Sequence, residues 1–187
     1  MEIPYLISKD SNINDFNIFD KKLKYSDYIT FTIRDYGFSP VRNTKYTDIE
    51  KVYKVAESLN CKLVIVPDDI CKIRELSFAS GVIICESARK VIFHRIKLYS
   101  NSKLNIFNPS GPSHVSLFTR KTKTIITNFC AGGFDSNEKL YKKEYNISVG
   151  NQPYEKLGCF ILWHKIFPDY TTQDILKAYE ILCQKNY

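Results

Sequence analysis

Leu104-Asn-Ile-Phe-Asn-Pro-Ser-Gly-Pro-Ser-His-Val-Ser-Leu-Phe118 decides the fold. Its first four residues are a short apolar run that reads as a strand, and its last four read as the body of a helix. Between them lies a turn, Asn108 to His114, built from proline, glycine and serine. Gly111 suits a tight turn. Pro112 suits the first helical position, where a missing N–H costs nothing. A strand that passes through such a turn directly into a helix is the opening of a βα unit.

The same grammar recurs on both sides. Tyr28-Ile-Thr-Phe-Thr-Ile-Arg34 is rich in β-branched and aromatic residues and reads as a strand. Thr47 and Glu50 have the spacing of a capping box for a helix carrying Ile49, Val52, Tyr53, Ala56 and Leu59. Lys62-Leu-Val-Ile-Val66 is a continuous apolar run, as expected of a strand covered on both faces. Residues 77–85 fit either a strand or a buried helix end. Ser87 is positioned to cap a helix with Ala88, Val91, Ile92, Arg95, Ile96 and Tyr99 along it. Thr124–Thr127 reads as a further strand, residues 129–158 as loop, and Thr171 or Thr172 as the start of a last helix through Ile175, Leu176, Tyr179 and Leu182. Alternation of this kind predicts an α/β fold, a Rossmann-like three-layer domain with a mostly parallel sheet. It is expected over residues 28–187, behind a polar lead or docking arm at 1–27.

Bulk composition fits that reading. The chain has 187 residues, 44% hydrophobic and 25% charged, which is globular rather than disordered. Lys and Arg number 27 against 20 Asp and Glu, a formal charge of +7, so the surface favours phosphate-bearing partners or is simply lysine-biased. None of the six cysteines forms a CxxC pair, and several lie in apolar runs, as buried thiols of a reducing cytosol do. The three histidines are scattered, so no metal site is expected. No segment reads as a signal peptide or a membrane span. The expected location is cytoplasmic, with room for peripheral contact at the inner face of the membrane.

In open parallel sheets, ligands bind beyond the carboxyl ends of the strands. That rule selects Arg34–Asn43, Pro67–Asp69, Asn108–His114 and Asn128–Gly133. At the turn, amides at a helix start and the helix dipole favour an anion, with Ser110, Ser113 and His114 adding polar groups. The alternative is a plain turn with a capping serine. Arg34, at the end of its strand, can grip a phosphate with two parallel hydrogen bonds or pair with Asp35. Arg42 and Asn43 can close over a ligand or form a solvated loop. Asp68 and Asp69 can meet ribose hydroxyls or make an ordinary turn. His94 and Arg95 suit packing or surface roles. No Gly-x-Gly-x-x-Gly, Walker or Gly-x-Ser-x-Gly motif occurs, which argues against dinucleotide enzymes, P-loop ATPases and α/β-hydrolases.

Taken in order, Arg34-Asp35-x-Gly37, Arg42-Asn43, Val64-Ile-Val-Pro67-Asp68-Asp69, Ile96-Lys-Leu-Tyr99 and Asn108-x-Ser-Gly-Pro-x-His114 resemble the carboxy-terminal half of bacterial GT-B glycosyltransferase-like proteins. The Ser-Gly-Pro-Ser-His stretch is similar to the donor-phosphate turn of heptosyltransferase-type enzymes. The resemblance spans roughly residues 28–182. It implies a domain that binds the diphosphate of a nucleotide-sugar donor through Arg34 and Ser110, Gly111, Pro112, Ser113 and His114. Asp35, Arg42, Asn43, Asp68, Asp69 and Asn108 are candidate nucleotide or sugar contacts. It implies transfer to a glycan or lipid acceptor, in polysaccharide synthesis, with no cofactor and no metal. It identifies no catalytic base.

GT-B enzymes have two Rossmann-like halves, and about 27 residues precede the first strand here. A non-catalytic module paired with itself or a partner subunit, its phosphate site vestigial, is therefore a second expectation. A nucleic-acid binder is a third, against which the dispersed charge and the absence of an RRM, KH or zinc-finger signature both count.

Overall fold

The computed structural model describes residues 27–38, 40–67, 82–118, 122–130, 137–163 and 170–185. Asp68, Asp69, His164, the polar lead and the Gly132-Gly133 pair lie outside them.

Six strands form one sheet, β1 (Tyr28–Thr32), β2 (Lys62–Val66), β3 (Val82–Ile84), β4 (Leu104–Phe107), β5 (Thr124–Ile126) and β6 (Cys159–Ile161). The spatial order is β3-β2-β1-β4-β5-β6 and every pairing is parallel. This is the strand order of a doubly wound, Rossmann-like sheet. Chain direction along the sheet reverses between β1 and β4, which are neighbours in register from Ile29–Leu104 to Thr32–Phe107.

Helices cover both faces, as an all-parallel sheet requires. On one face, α1 (Tyr46–Ser58) and α6 (Thr172–Gln184) bury Val52, Val55, Ile175 and Leu182 against Ile29, Phe31, Leu63 and Ile106. On the other, α2 (Ser87–Lys90), α3 (Ile92–Ser100) and α4 (Gly111–Phe118) meet the sheet, with Leu98, Tyr99, Val64 and Phe107 at the centre. The central strands also bury polar groups, and these are paired. Thr30 donates to Asn105 Oδ1 at 2.6 Å, Asn105 Nδ2 donates to the Tyr99 carbonyl at 3.1 Å, and Thr32 Oγ1 bonds Tyr99 OH at 2.6 Å. Such pairing avoids the penalty of a buried unsatisfied group.

Several local expectations are corrected. The capping-box reading of Thr47 and Glu50 fails because α1 starts earlier, at Tyr46. Asp48 instead accepts from the Lys45 amide at 3.0 Å. The helix expected from Ser87 is two helices, broken where Val91 is extended (φ −119°, ψ 112°). Ser87 is the first helical residue rather than the cap. The break rotates the second helix so that His94, Leu98 and Tyr99 face inward while Ile92 and Ile96 face out.

The segment read as loop contains α5 (Glu138–Tyr145). Asn137 caps it by accepting from Leu140 N at 2.9 Å, and Asn146 ends it in the left-handed region at φ 54°. Its hydrophilic sequence buries only Tyr141, too little for a periodic signal. Strand β6 is three residues long and escaped notice for the opposite reason, brevity. The Gln152 side chain bonds both the amide and the carbonyl of Ile161, at 2.7 and 2.8 Å, in the manner of a further strand. In Thr171 the expected start of α6 is realised, its hydroxyl accepting from Asp174 N at 3.2 Å.

Candidate functional site

Strands β1 and β4 end at the switch point of the sheet, and the chain leaves each of them into a loop. Those two loops, with the segments after β5, enclose a cavity of ≈ 570 Å³, within the usual range for a small-molecule site. Arg34, Arg42, Ser110, Gly111, Pro112, Ser113 and His114 line it. The structure thus brings together seven of the residues expected from the sequence. Asp35, Asn43 and Asn108 are not part of the lining, and Asp68 and Asp69 are outside the described residues.

The β4–α4 turn supplies one wall. Helix α4 begins at Gly111, so Pro112 and Ser113 are already in its first turn. Ser113 is buried; its amide and hydroxyl both bond the Ser110 carbonyl, at 3.0 and 2.6 Å. Pro112 has no N–H. The Gly111 amide and the Ser110 hydroxyl make no hydrogen bond among the described residues, which leaves them as the donors this turn can offer. His114 is exposed, with Nδ1 3.3 Å from the Ser110 carbonyl and Nε2 at the far side of the ring. Gly111 lies inside the turn that Ser113 N closes on the Ser110 carbonyl, without taking a positive φ. A Cβ built there meets nothing within 4 Å. What glycine provides is an uncovered helix start beside the cavity.

The β1–α1 loop supplies the other wall and is stitched by side chains. Arg34 is buried, and its guanidinium donates to Asn43 Oδ1 and to the Phe38 carbonyl, each at 2.5 Å. Its amide donates to Thr44 Oγ1 at 2.8 Å. Asn43 accepts from Tyr36 N and donates to the Tyr36 carbonyl, both at 3.1 Å, and reaches Asp35 Oδ1 at 3.5 Å. Asn108, fully buried, joins the walls. Its Nδ2 donates to Thr44 Oγ1 at 2.9 Å and the Arg42 carbonyl at 3.3 Å. Its Oδ1 accepts from Thr127 at 2.8 Å and Asn128 at 3.2 Å. Asn43 and Asn108 therefore shape the cavity from behind.

The sequence reading missed the aromatic lining. Tyr36 and Phe38 are exposed on the β1 side. Across the cavity, Phe129 stacks on Tyr141 with centroids 4.5 Å apart, and Tyr145 continues the row at 6.1 Å from Tyr141. Tyr154 also lines it, and burial, with smaller contributions from Cys159 and Tyr145, raises its pKa. Tyr141 and Tyr145, four residues apart, were the available signal, lost when their helix was read as loop. The cavity combines cationic groups and a helix start on one part of its lining with aromatic faces on another. That combination suits an anion attached to a planar or ring-shaped group.

A six-stranded parallel sheet with its cavity at the β1/β4 switch point defines a Rossmann-like architecture. Solved structures place it further. UDP-GlcNAc 2-epimerase from Methanocaldococcus jannaschii, in complex with UDP-GlcNAc and UDP, matches with a TM-score of 0.58 at 15% identity, over 94% of this chain and 43% of its own. The E. coli ADP-heptose lipopolysaccharide heptosyltransferase II matches with 0.57 at 12%, over 95% and 52%. The glycosyl transferase family 9 protein from Veillonella parvula matches with 0.58 at 16%, over 92% and 51%. No family model and no curated protein sequence matches the chain. The likeness shows the fold: this is a GT-B-like domain, and it spans about half the length of the structures it matches.

Proposed function

We propose that the chain is the donor-binding, carboxy-terminal-type domain of a glycosyltransferase, holding a nucleotide-diphosphate sugar in the cavity between β1 and β4. The observation that carries this reading is the convergence of Arg34, Arg42 and the uncovered start of α4 on one cavity at the switch point. Such a site supplies fixed positive potential where a diphosphate would sit. The aromatic row from Phe129 to Tyr145 gives an apolar aromatic side for the base or sugar to pack against.

Chemically, departure of a nucleoside diphosphate from the anomeric carbon develops negative charge on the leaving oxygen. Donors already oriented toward that position stabilise the charge without reorganising. The Gly111 amide, the Ser110 hydroxyl, Arg42 and His114 are the groups of this chain placed to do so, and Arg34 adds its charge from beneath. The acceptor is a glycan or lipid hydroxyl. The fold neighbours support this reading, since one was solved with UDP-GlcNAc and UDP and another is an ADP-heptose heptosyltransferase.

A thermal-shift panel of UDP, GDP, ADP and CMP with their sugars tests the proposal. A ligand present at about 100 times its Kd adds about 2.7 kcal/mol to the folded state, a rise of a few degrees at least. One diphosphate should stand out. No shift with any of them at millimolar concentration would contradict the reading.

A further inference from the structure

The outer face of α3 carries a second interaction surface, away from the cavity lining. On a helical wheel, Ile92, Ile96, Ser100, Phe93 and Lys97 fall within an arc of about 140°, His94 and Leu98 fall on the opposite side, and Tyr99 borders the arc about 20° beyond Ile92. The inner set is buried in the core. The outer set is not covered: Phe93 is 76% exposed, Ile92 47% and Ile96 36%. A nine-residue helix that is apolar on both faces is unusual for a surface element, and three large apolar side chains side by side form a patch rather than scattered exposure.

The charges along this stretch of chain have one sign. From Ser87 to Lys103 the sequence contains five basic residues and no acidic one. Lys90 and Lys97 are exposed, and Arg89 is half-exposed in the short helix that precedes Val91. Arg95 is turned inward, where its guanidinium caps the Ala88 and Arg89 carbonyls at 2.8 and 3.2 Å and thereby fixes the angle between α2 and α3. Lys103 lies at the other end of the helix beside Asp27.

We infer that this face docks on an anionic lipid surface, Phe93, Ile92 and Ile96 entering the headgroup region while Lys90, Lys97 and Arg89 meet lipid phosphates. Exposed aromatic and aliphatic groups ringed by lysine and arginine are the composition such interfaces select. A protein groove able to take this face would need both an apolar floor and an acidic rim; an anionic bilayer presents the two together. The location fits. Parallel strands return through antiparallel helices, so the Ile92–Phe93 end of α3 lies at the carboxyl edge of the sheet, the edge that holds the cavity. Docking there would hold the cavity close to lipid-borne hydroxyls. The inference does not depend on the nucleotide reading, because vesicle binding requires no nucleotide.

The test is co-flotation of the full chain with vesicles of phosphatidylcholine alone or mixed with phosphatidylglycerol. Wild type should float with the anionic vesicles, not with the neutral ones, and detach at high salt. Phe93→Glu together with Ile96→Glu should weaken binding at least about tenfold, the loss expected for two apolar anchors. Lys90→Glu with Lys97→Glu should weaken it comparably. All four positions are exposed, and an unchanged unfolding midpoint would show that the fold persists. Absence of wild-type binding to anionic vesicles would overturn the inference, as would binding that ignores the substitutions. Light scattering showing a dimer that Phe93→Glu dissociates would give the face to a second copy, and would overturn it too.

Discussion

The two walls of the cavity are built on different principles. The β1–α1 loop is long and irregular, and it is held by a network in which Arg34, Asn43, Thr44 and Asn108 bond one another and the intervening backbone. The β4–α4 turn is short and local. Ser113 and His114 fold back onto the Ser110 carbonyl, and the helix itself does the rest. Polar residues in the loop thus make the wall, while the turn leaves an amide and a hydroxyl facing a ligand. Residues of similar chemistry, equally close to a cavity, therefore have different consequences when altered. Loop substitutions should register mainly in stability and turn substitutions mainly in binding.

The largest effect is expected at Asn108. Replacement by Ala removes four hydrogen bonds from a fully buried position, and with them the link between Thr44 and the Arg42 carbonyl on one side and Thr127 and Asn128 on the other. A loss of about 3 kcal/mol is expected in urea unfolding. A loss under about 1 kcal/mol would break the comparison, since the loop would then not depend on its network. Arg34→Ala comes next, at about 2 kcal/mol. Hydrogen exchange of residues 35–38 and 40–44 should rise in this variant without ligand, which a role confined to phosphate contact would not produce.

Smaller effects are expected from the aromatic lining. Tyr145→Ala removes an exposed ring, so stability should stay within about 0.5 kcal/mol. Affinity for the nucleotide should fall roughly fivefold, the worth of one stacking contact of about 1 kcal/mol. A change in stability without one in affinity would assign Tyr145 to the fold. The smallest effect lies in neither wall. Burial, and then the charge of Lys97, lowers the pKa of His94 in α3. A histidine kept neutral when folded contributes fully above its ordinary pKa of about 6.5, and its contribution is lost as pH falls below that toward the lowered value. The unfolding midpoint should decline below about pH 6.5, and His94→Gln should flatten that decline. Affinity measured at pH 7 should not change in this variant.

What was legible in the sequence follows from the same contrast. Local signals carried. The run Leu104–Phe107, the Pro-Ser-Gly-Pro turn and the apolar Leu63–Val66 each read correctly because a few consecutive residues determine them. The cavity followed from a topological rule applied to those strands. Long-range bonds did not carry. Nothing in Asn108 itself reveals that it joins three loops; its partners are 19 to 66 residues away. The break at Val91 was invisible for a different reason: Arg95 caps the Ala88 and Arg89 carbonyls locally, and an arginine at that spacing reads no differently from one on an unbroken helix. Without the break, Ile92 and Ile96 read as core, and the outward face of α3 disappears from view. Helix α5 was missed because its solvent-facing residues outnumber its single buried one, and four aromatic groups of the lining come from it or from segments flanking it.

The most direct test of the account is calorimetric titration of the nucleoside diphosphate selected by the thermal-shift panel into wild type and Gly111→Val. Position 111 does not take a positive φ, and a Cβ there meets nothing within 4 Å apart from its chain neighbours. Because it precedes Pro112 at a helix start, a branched residue should lower the unfolding midpoint by several degrees while the protein still folds. At the same time its branched side chain would cover the start of α4, and affinity should fall at least about a hundredfold, as expected when an anion loses its close approach to a helix terminus. Undiminished binding in a stable Gly111→Val protein would contradict the placement of the diphosphate at this turn.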